Sequence, residues 1–185
     1  TPDVYYFSLL RPFYEIRIAE LFCKYKKYFP YFSSCNKNFQ IENGLPSRSP
    51  GGSWCGECPK CTFVFLMLSA FLEEGELVTI FGKNLFEDEN LLPLFRDILC
   101  FGKLKPFDCV GTLEESRAAL YLAREKFKDT LIIEEFLSKI KNSEKLIEKV
   151  FKTQESNTPD HLKFLGMENT AVLGYGKEGE VTENY

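Results

Sequence analysis

Histidine is nearly absent from this 185-residue chain: there is one, His161, in a polar stretch rich in linker residues. Proton transfer by this polypeptide would therefore need groups other than imidazole. Positive charge is also short, with 23 Lys and Arg against 27 Asp and Glu and a net charge of −4. Without surplus cations to displace counterions from phosphates, nucleic acid is excluded as a main partner. No apolar run reaches the roughly 20 residues that span a bilayer, the longest lying around Phe63 to Leu72, so no membrane segment is expected. The opening TPDVYYFSLLRP has neither the basic start nor the small-residue cleavage site of a secretion signal. It also lacks an initiator Met, which reads as a piece cut from a longer protein. Seven cysteines, an odd number, argue against a secreted disulfide framework and for thiolate chemistry in a reducing, cytoplasmic setting.

What is present is a folding composition. Hydrophobic residues make up 44% and charged residues 27%, and 18 Phe with 9 Tyr supply more aromatic area than a disordered chain carries. The length suits one domain with a real core, or one domain and part of another.

Helical signals dominate. Leu9 to Phe29 opens on Arg11-Pro12, with Pro12 suited to a first helical position, and Phe13, Ile16, Ala19, Leu21, Phe22 and Tyr25 recur at helical steps; Pro30 is the expected stop. From Ser33 to Ser53 the composition turns to Ser, Asn, Gly and Pro and reads as a long loop. Pro59 marks another start, and the apolar run from Thr62 predicts a buried helix closed by Gly75. Leu85 to Leu99 is a further amphipathic candidate. Thr112 and Glu115 form a capping box ahead of the next helix. The segment Thr130 to Phe151 predicts a Lys/Glu-rich helical pair interrupted near Asn142-Ser143, its charge a solvated surface. After Thr153 the pattern gives way to a linker. The expected organisation is residues 1–153 as a mainly α domain, 154–168 as linker, and 169–185 as the start of something else, with one short terminal β-strand at Ala171-Val172-Leu173.

The cysteines carry the chemistry. Cys35 is followed, nineteen residues later, by Cys55-x2-Cys58-x2-Cys61. A Cys-x2-Cys turn brings two sulfurs to one metal, Gly56 permits the sharp bend, and Cys35 can complete a tetrahedron. An iron–sulfur cluster is the first rival, although the ferredoxin run wants a fourth Cys where Phe65 stands. A redox Cys-x2-Cys and four buried free thiols are the others. Spacing favours zinc, and four sulfurs leave no open position, so the expected metal is structural. Cys23 and Cys100 read as core residues.

Around these cysteines, SSCNKNF and WCGECPKCTFVFLMLSAFL, with SLLRPFYEIRIAELF, IFGKNLFED and KPFDCVGTLEES in the same order, resemble the C-terminal half of the MurL-type UDP-N-acetylmuramoyl-L-alanyl-L-glutamate epimerases. The resemblance covers roughly Tyr5 to Leu122. A similar cysteine arrangement closes the zinc site of 7-cyano-7-deazaguanine synthases. The resemblance therefore implies the C-terminal lobe of a larger α/β enzyme with an ATP-pyrophosphatase-like fold, whose GGKDS-type ATP loop would belong to an N-terminal half not in this sequence. It implies ATP and magnesium as requirements of the full enzyme, a UDP-N-acetylmuramoyl-dipeptide as substrate, and a reaction in which the glutamyl α-carboxylate is adenylated before inversion. This piece alone is then expected to be inactive.

Within the family-like blocks, Cys109 and its neighbour Asp108 are candidates for acid or base; a packed core thiol is the plainer reading of Cys109. Arg11 and Lys105 are candidates for holding phosphate or carboxylate, against the plainer reading of surface ion pairs. At the C-terminus, Gly174-x-Gly176-x-x-Gly179 after an apolar strand fits a phosphate-cradling turn. It also resembles the opening of a glutamate-adding Mur ligase, which implies an epimerase–ligase fusion. The alternative to an enzyme piece is a non-catalytic zinc module that binds another macromolecule.

Overall fold

The structure is a computed structural model that describes residue 10, residues 13–37, 54–102, 106 and 110–152, and the backbone of 41–42 and 45–46. It is mainly helical. The helices are α1 (Glu15–Phe22), α2 (Pro59–Ser69), α3 (Glu74–Phe81), α4 (Leu92–Ile98), α5 (Leu113–Ala123), α6 (Leu131–Phe136) and α7 (Ser143–Phe151). Tighter 3-10 turns occupy Lys26–Tyr31, Leu85–Glu87, Glu89–Leu91 and Leu137–Lys139. Strands β1 (Ile41–Glu42) and β2 (Leu45–Pro46) pair antiparallel, Ile41 opposite Pro46, inside the segment expected to be loop.

Helix α2 is the axis of the domain because it is apolar on every side. Phe63, Phe65, Leu66, Met67 and Leu68 are all buried, which a helix tolerates only when neighbours surround it. Those neighbours are α1, α3, α4 and above all α5, whose other side takes α7. The buried hydroxyls of α2 do not go unpaired: Thr62 Oγ1 donates to the Cys58 carbonyl at 3.2 Å and Ser69 Oγ to the Leu66 carbonyl at 2.8 Å. Phe86, delivered by a 3-10 turn, anchors the aromatic core, with ring centroids 5.0 Å from Phe65, 5.4 Å from Phe95 and 5.2 Å from Phe127.

Several sequence boundaries move. The first helix ends at Phe22, well short of Phe29, because Tyr25 leaves helical geometry at φ −112 and ψ 54, and the chain continues in 3-10 form. Pro30 consequently sits inside that turn and does not stop the helix. Gly75 does not close α2, which ends at Ser69 with Ala70 as its C-cap; the Glu73 amide donates to Glu76 Oε2 at 3.2 Å, starting a separate helix with Gly75 in its first turn. Gly82, at φ +80, is the true left-handed stop. Leu85 to Leu99 is split because the side chains of Asn84 and Asp88 each accept the amide two residues on, at 3.0 Å, and Pro93 then restarts a helix. The expected cap at Thr112 is present, Thr112 Oγ1 accepting the Glu115 amide at 3.3 Å. The break at Asn142 is present too, in the left-handed conformation at φ 55. The terminal strand, the linker and residues 169–185 lie outside the described residues.

Candidate metal centre

Four sulfurs converge where three pieces of chain meet. Cys35 arrives at the end of the extended stretch that follows the Lys26–Tyr31 turn, its amide donating to Ser33 Oγ at 3.2 Å. Cys55 and Cys58 flank a bend in which Gly56 takes φ +69, a conformation that costs a residue with a Cβ. Cys58 is the N-cap of α2, Pro59 follows at its first position, and Cys61 lies in its first turn. Pro59 thus does what the sequence suggested and aims two thiols at once.

The Sγ atoms of Cys35, Cys55, Cys58 and Cys61 all lie within 4.8 Å of one another. Sulfur separations are 4.0 Å for Cys35 and Cys58, 3.6 Å for Cys55 and Cys61, and 3.4 Å for Cys58 and Cys61. A tetrahedron with metal–sulfur bonds of about 2.3 Å has edges of about 3.8 Å. Four thiols at separations scattered around that edge length could hold zinc. Soft thiolates alone, with no carboxylate or imidazole in the group, do not suit calcium or magnesium.

Backbone amides support the sulfurs. The Glu57 amide donates to Cys55 Sγ at 3.4 Å, and amides of Cys61 and Asn36 point at Cys58. The α2 N-terminus adds its partial positive charge. The Cys58 thiol is drawn down to about 4, first by its hydrogen bond with the Cys61 side chain, then by those amides, with burial opposing. Cys61 is pushed far up, chiefly by its hydrogen bond with the Cys58 side chain and then by burial. Burial raises Cys55. Cys35 and Cys61 are fully buried and Cys58 nearly so, while Cys55 is half-buried. Beside the cluster, Trp54 is 5% exposed and wedged between Phe32 and Phe81, with centroids 5.1 and 4.9 Å away.

The other sequence candidates fall elsewhere. Arg11, Lys105, Asp108, Cys109, His161, Gly174, Gly176 and Gly179 lie outside the described residues. Cys23 is buried as expected, and its thiol is pushed up to about 12, first by burial and then by Glu76. Cys100 departs from the core reading: it is half-buried at φ 53 on the turn leaving α4, where its carbonyl accepts from Arg117 at 3.3 Å. Sequence reasoning treated Glu115 only as half of a capping box. It is 2% exposed and accepts from the Thr112 amide at 2.7 Å, the Thr112 hydroxyl at 2.8 Å and the Ile16 amide at 3.3 Å, tying α1 to α5. Its spacing signals the cap, whereas the long-range bond has no sequence signature.

Fold and site together define a helical domain carrying a buried cluster of four cysteines that could hold a metal ion. The chain belongs to the MurL C-terminal domain family, whose profile matches residues 31–151. It is 41% identical over 140 residues to the UDP-N-acetyl-alpha-D-muramoyl-L-alanyl-L-glutamate epimerase of Xanthomonas oryzae pv. oryzae, covering 75% of this chain and 30% of that protein. Proteins of the same name from a Micromonospora species and from Salinispora tropica are 42% and 40% identical over 121 residues, covering 65% of this chain and 26% and 25% of theirs. The chain thus spans under a third of the length of these relatives. No solved structure matches it. No helix among the described residues is long and apolar enough to cross a membrane.

Proposed function

We propose that this chain is the zinc-bearing C-terminal part of an epimerase that converts the terminal L-glutamate of UDP-N-acetylmuramoyl-L-alanyl-L-glutamate to D-glutamate during peptidoglycan precursor synthesis. The observation that carries the reading is the convergence of four thiols inside the stretch that matches the MurL C-terminal domain. Cys35, Cys55, Cys58 and Cys61 would hold the ion, which supplies cross-linking and no reactive position, since all four places are sulfur. Their work is to fix the segment between α1 and α2 against the core.

The chemistry would require the remainder of the enzyme. Removing the α-proton next to an ionised carboxylate places charge on charge, so activation comes first. The carboxylate oxygen attacks the α-phosphorus of magnesium-bound ATP and pyrophosphate leaves. The α-proton of the resulting acyl-adenylate is then taken from one face and returned to the other, and water cleaves the mixed anhydride to AMP and the D-glutamyl product. ATP binding belongs to the ATP-pyrophosphatase-like half, and this chain by itself would not turn over. Arg11 and Lys105 remain proposed anion ligands, and Cys109 and Asp108 proposed acid or base. The glycines Gly174, Gly176 and Gly179 would open a Mur-ligase-like nucleotide site. A nucleotide-linked substrate and a reduced thiol centre both suit the cytoplasm.

The test uses the full-length polypeptide with ATP, magnesium and the UDP-muramoyl dipeptide in deuterated water. The expected result is AMP, pyrophosphate and a D-glutamyl product deuterated at the α-carbon. L-glutamyl substrate recovered unchanged, with no AMP formed, overturns the reading and leaves a non-catalytic zinc module.

A further inference from the structure

The Lys26–Tyr31 turn and the residues leading into it carry a second surface that the metal centre does not use. A 3-10 helix has three residues per turn, so residues three apart stand above one another. Leading into it, the Lys24 amide bonds to the Leu21 carbonyl at 3.1 Å, Tyr25 to Phe22 at 2.9 Å and Tyr28 to Tyr25 at 3.0 Å, all three-residue bonds. The sequence KYKKYFPYF from Lys24 to Phe32 has that same period of three. Phe29 and Phe32 form the inner row, half-buried against Phe22 at 5.4 and 4.6 Å. Tyr25, Tyr28 and Tyr31 form the second row. Lys24 and Lys27 begin the third.

The tyrosine row faces water. Tyr25, Tyr28 and Tyr31 are 48%, 49% and 84% exposed, three of the five large hydrophobic side chains exposed among the described residues. Tyr28 and Tyr31 lie one 3-10 turn apart, so at about 2.0 Å rise per residue their side chains start about 6 Å apart, with Tyr25 at the N-cap one turn before. The lysine row runs beside it, with Lys27 Nζ 5.0 Å from the Tyr28 ring centroid. Lys26 is occupied by Glu76, at 2.5 Å. Lys24 and Lys27 make no ion pair among the described residues. Eight residues, Lys24 to Tyr31, thus present three exposed tyrosines and two ammonium groups without an ion pair among the described residues, the Lys27 ammonium lying over the Tyr28 ring, with no acidic residue among the eight.

We propose that this ladder binds the nucleoside-diphosphate end of the substrate, the tyrosines stacking on the base and Lys24 and Lys27 meeting the two phosphates. The proposal rests on the epimerase reading for the presence of a uridine diphosphate. Charge decides between this occupant and a nucleic acid strand: two ammonium groups match one diphosphate, whereas a long polyanion would meet the chain's net charge of −4. Stacking on an aromatic face tolerates any base, so affinity should come from ring and phosphates acting together.

Titration calorimetry on the 185-residue chain with UDP, with uridine and inorganic pyrophosphate as separate arms, tests this. UDP should bind more tightly than either half. Tyr31→Ala, at a position too exposed to support the core, and the pair Lys24→Glu with Lys27→Glu should each weaken UDP at least about tenfold, with unchanged circular dichroism. No heat with UDP up to about 10 mM, pyrophosphate binding as tightly as UDP, unchanged affinity in both variants, or tighter binding of an oligouridylate would each overturn it. Epimerase turnover by the full-length polypeptide, measured in parallel, separates the two claims: turnover with no UDP binding at the ladder defeats this inference alone.

Discussion

At Gly56 the backbone conformation and the space around it both matter. A Cβ there would start at φ +69 and sit 3.2 Å from Lys83 Cε and 3.4 Å from Leu85 Cδ2, so the flexible lysine can yield but the backbone strain cannot be relieved. Gly56→Ala should cost about 1 kcal/mol in denaturant unfolding and loosen the metal, since the same bend spaces Cys55 from Cys58. Cys58→Ser removes one of the four sulfurs and leaves the others without a closed tetrahedron. Zinc measured by elemental analysis should drop from one per chain to none, and soluble yield should fall with it; a soluble variant that retains one zinc would defeat the assignment. Cys23 shows the opposite thiol behaviour. Its folded value of about 12 lies above the ordinary thiol value, so above about pH 9 the unfolded chain loses this proton while the folded chain keeps it. The stability this buried thiol contributes is intact below pH 9 and is lost as pH rises toward 12. Urea unfolding across that window should show a steeper alkaline decline for the parent chain than for Cys23→Ala.

Among the elements, the junction of α1 with α5 is the most demanding. Gly111 runs at φ +59, and a Cβ added there would meet Phe63 Cζ at 2.6 Å and Glu115 Oε2 at 3.1 Å. The ring is buried in α2 and cannot withdraw, so Gly111→Ala should cost about 2–3 kcal/mol, read as a lowered urea midpoint. Glu115→Ala would orphan the Ile16 amide and break the cap, for a loss of about 3 kcal/mol; Glu115→Gln, whose one carbonyl oxygen can accept from only one of the two amides that the two carboxylate oxygens serve, should recover part of it. The same junction shows what sequence could and could not tell. Thr112 and Glu115 were legible because capping is a three-residue affair, and Pro59 with its flanking cysteines was legible because both the helix start and the ligand spacing are local. The division of the Thr62 to Gly75 run was not, since a glycine in a helix's first turn looks the same on paper as one that ends a helix, and only the Glu73–Glu76 pairing separates them. The stop at Phe22 was missed for a related reason: helical and 3-10 periods differ little over two turns, and the preference is set by Phe29 and Phe32 packing back onto Phe22.

At the scale of the described domain, the four-cysteine cluster and the core share a wall. Trp54 precedes Cys55 directly, touches Phe32 on the segment that delivers Cys35, and touches Phe81, which in turn lies 5.3 Å from Phe65 in the middle of α2. Aromatic contacts therefore run without a break from the sulfurs to the centre of the domain, and the long segment between Cys35 and Cys55 is closed at both ends by the same four-sulfur group. Binding an ion at such a site is folding free energy for every residue that depends on it. Stripping the metal with a strong chelator should lower the melting temperature by on the order of 10 °C or more, and the effect should be restored by zinc and not by magnesium. Trp54, the only tryptophan in the sequence, reports the same event optically, because its indole is 5% exposed while the wall is intact. Its emission should shift to the red in step with metal release, one event per zinc lost. An emission maximum that stays put while zinc leaves would show that the sulfurs and the aromatic wall are independent, and the centre would then be an attachment to the fold, with no part in holding it together.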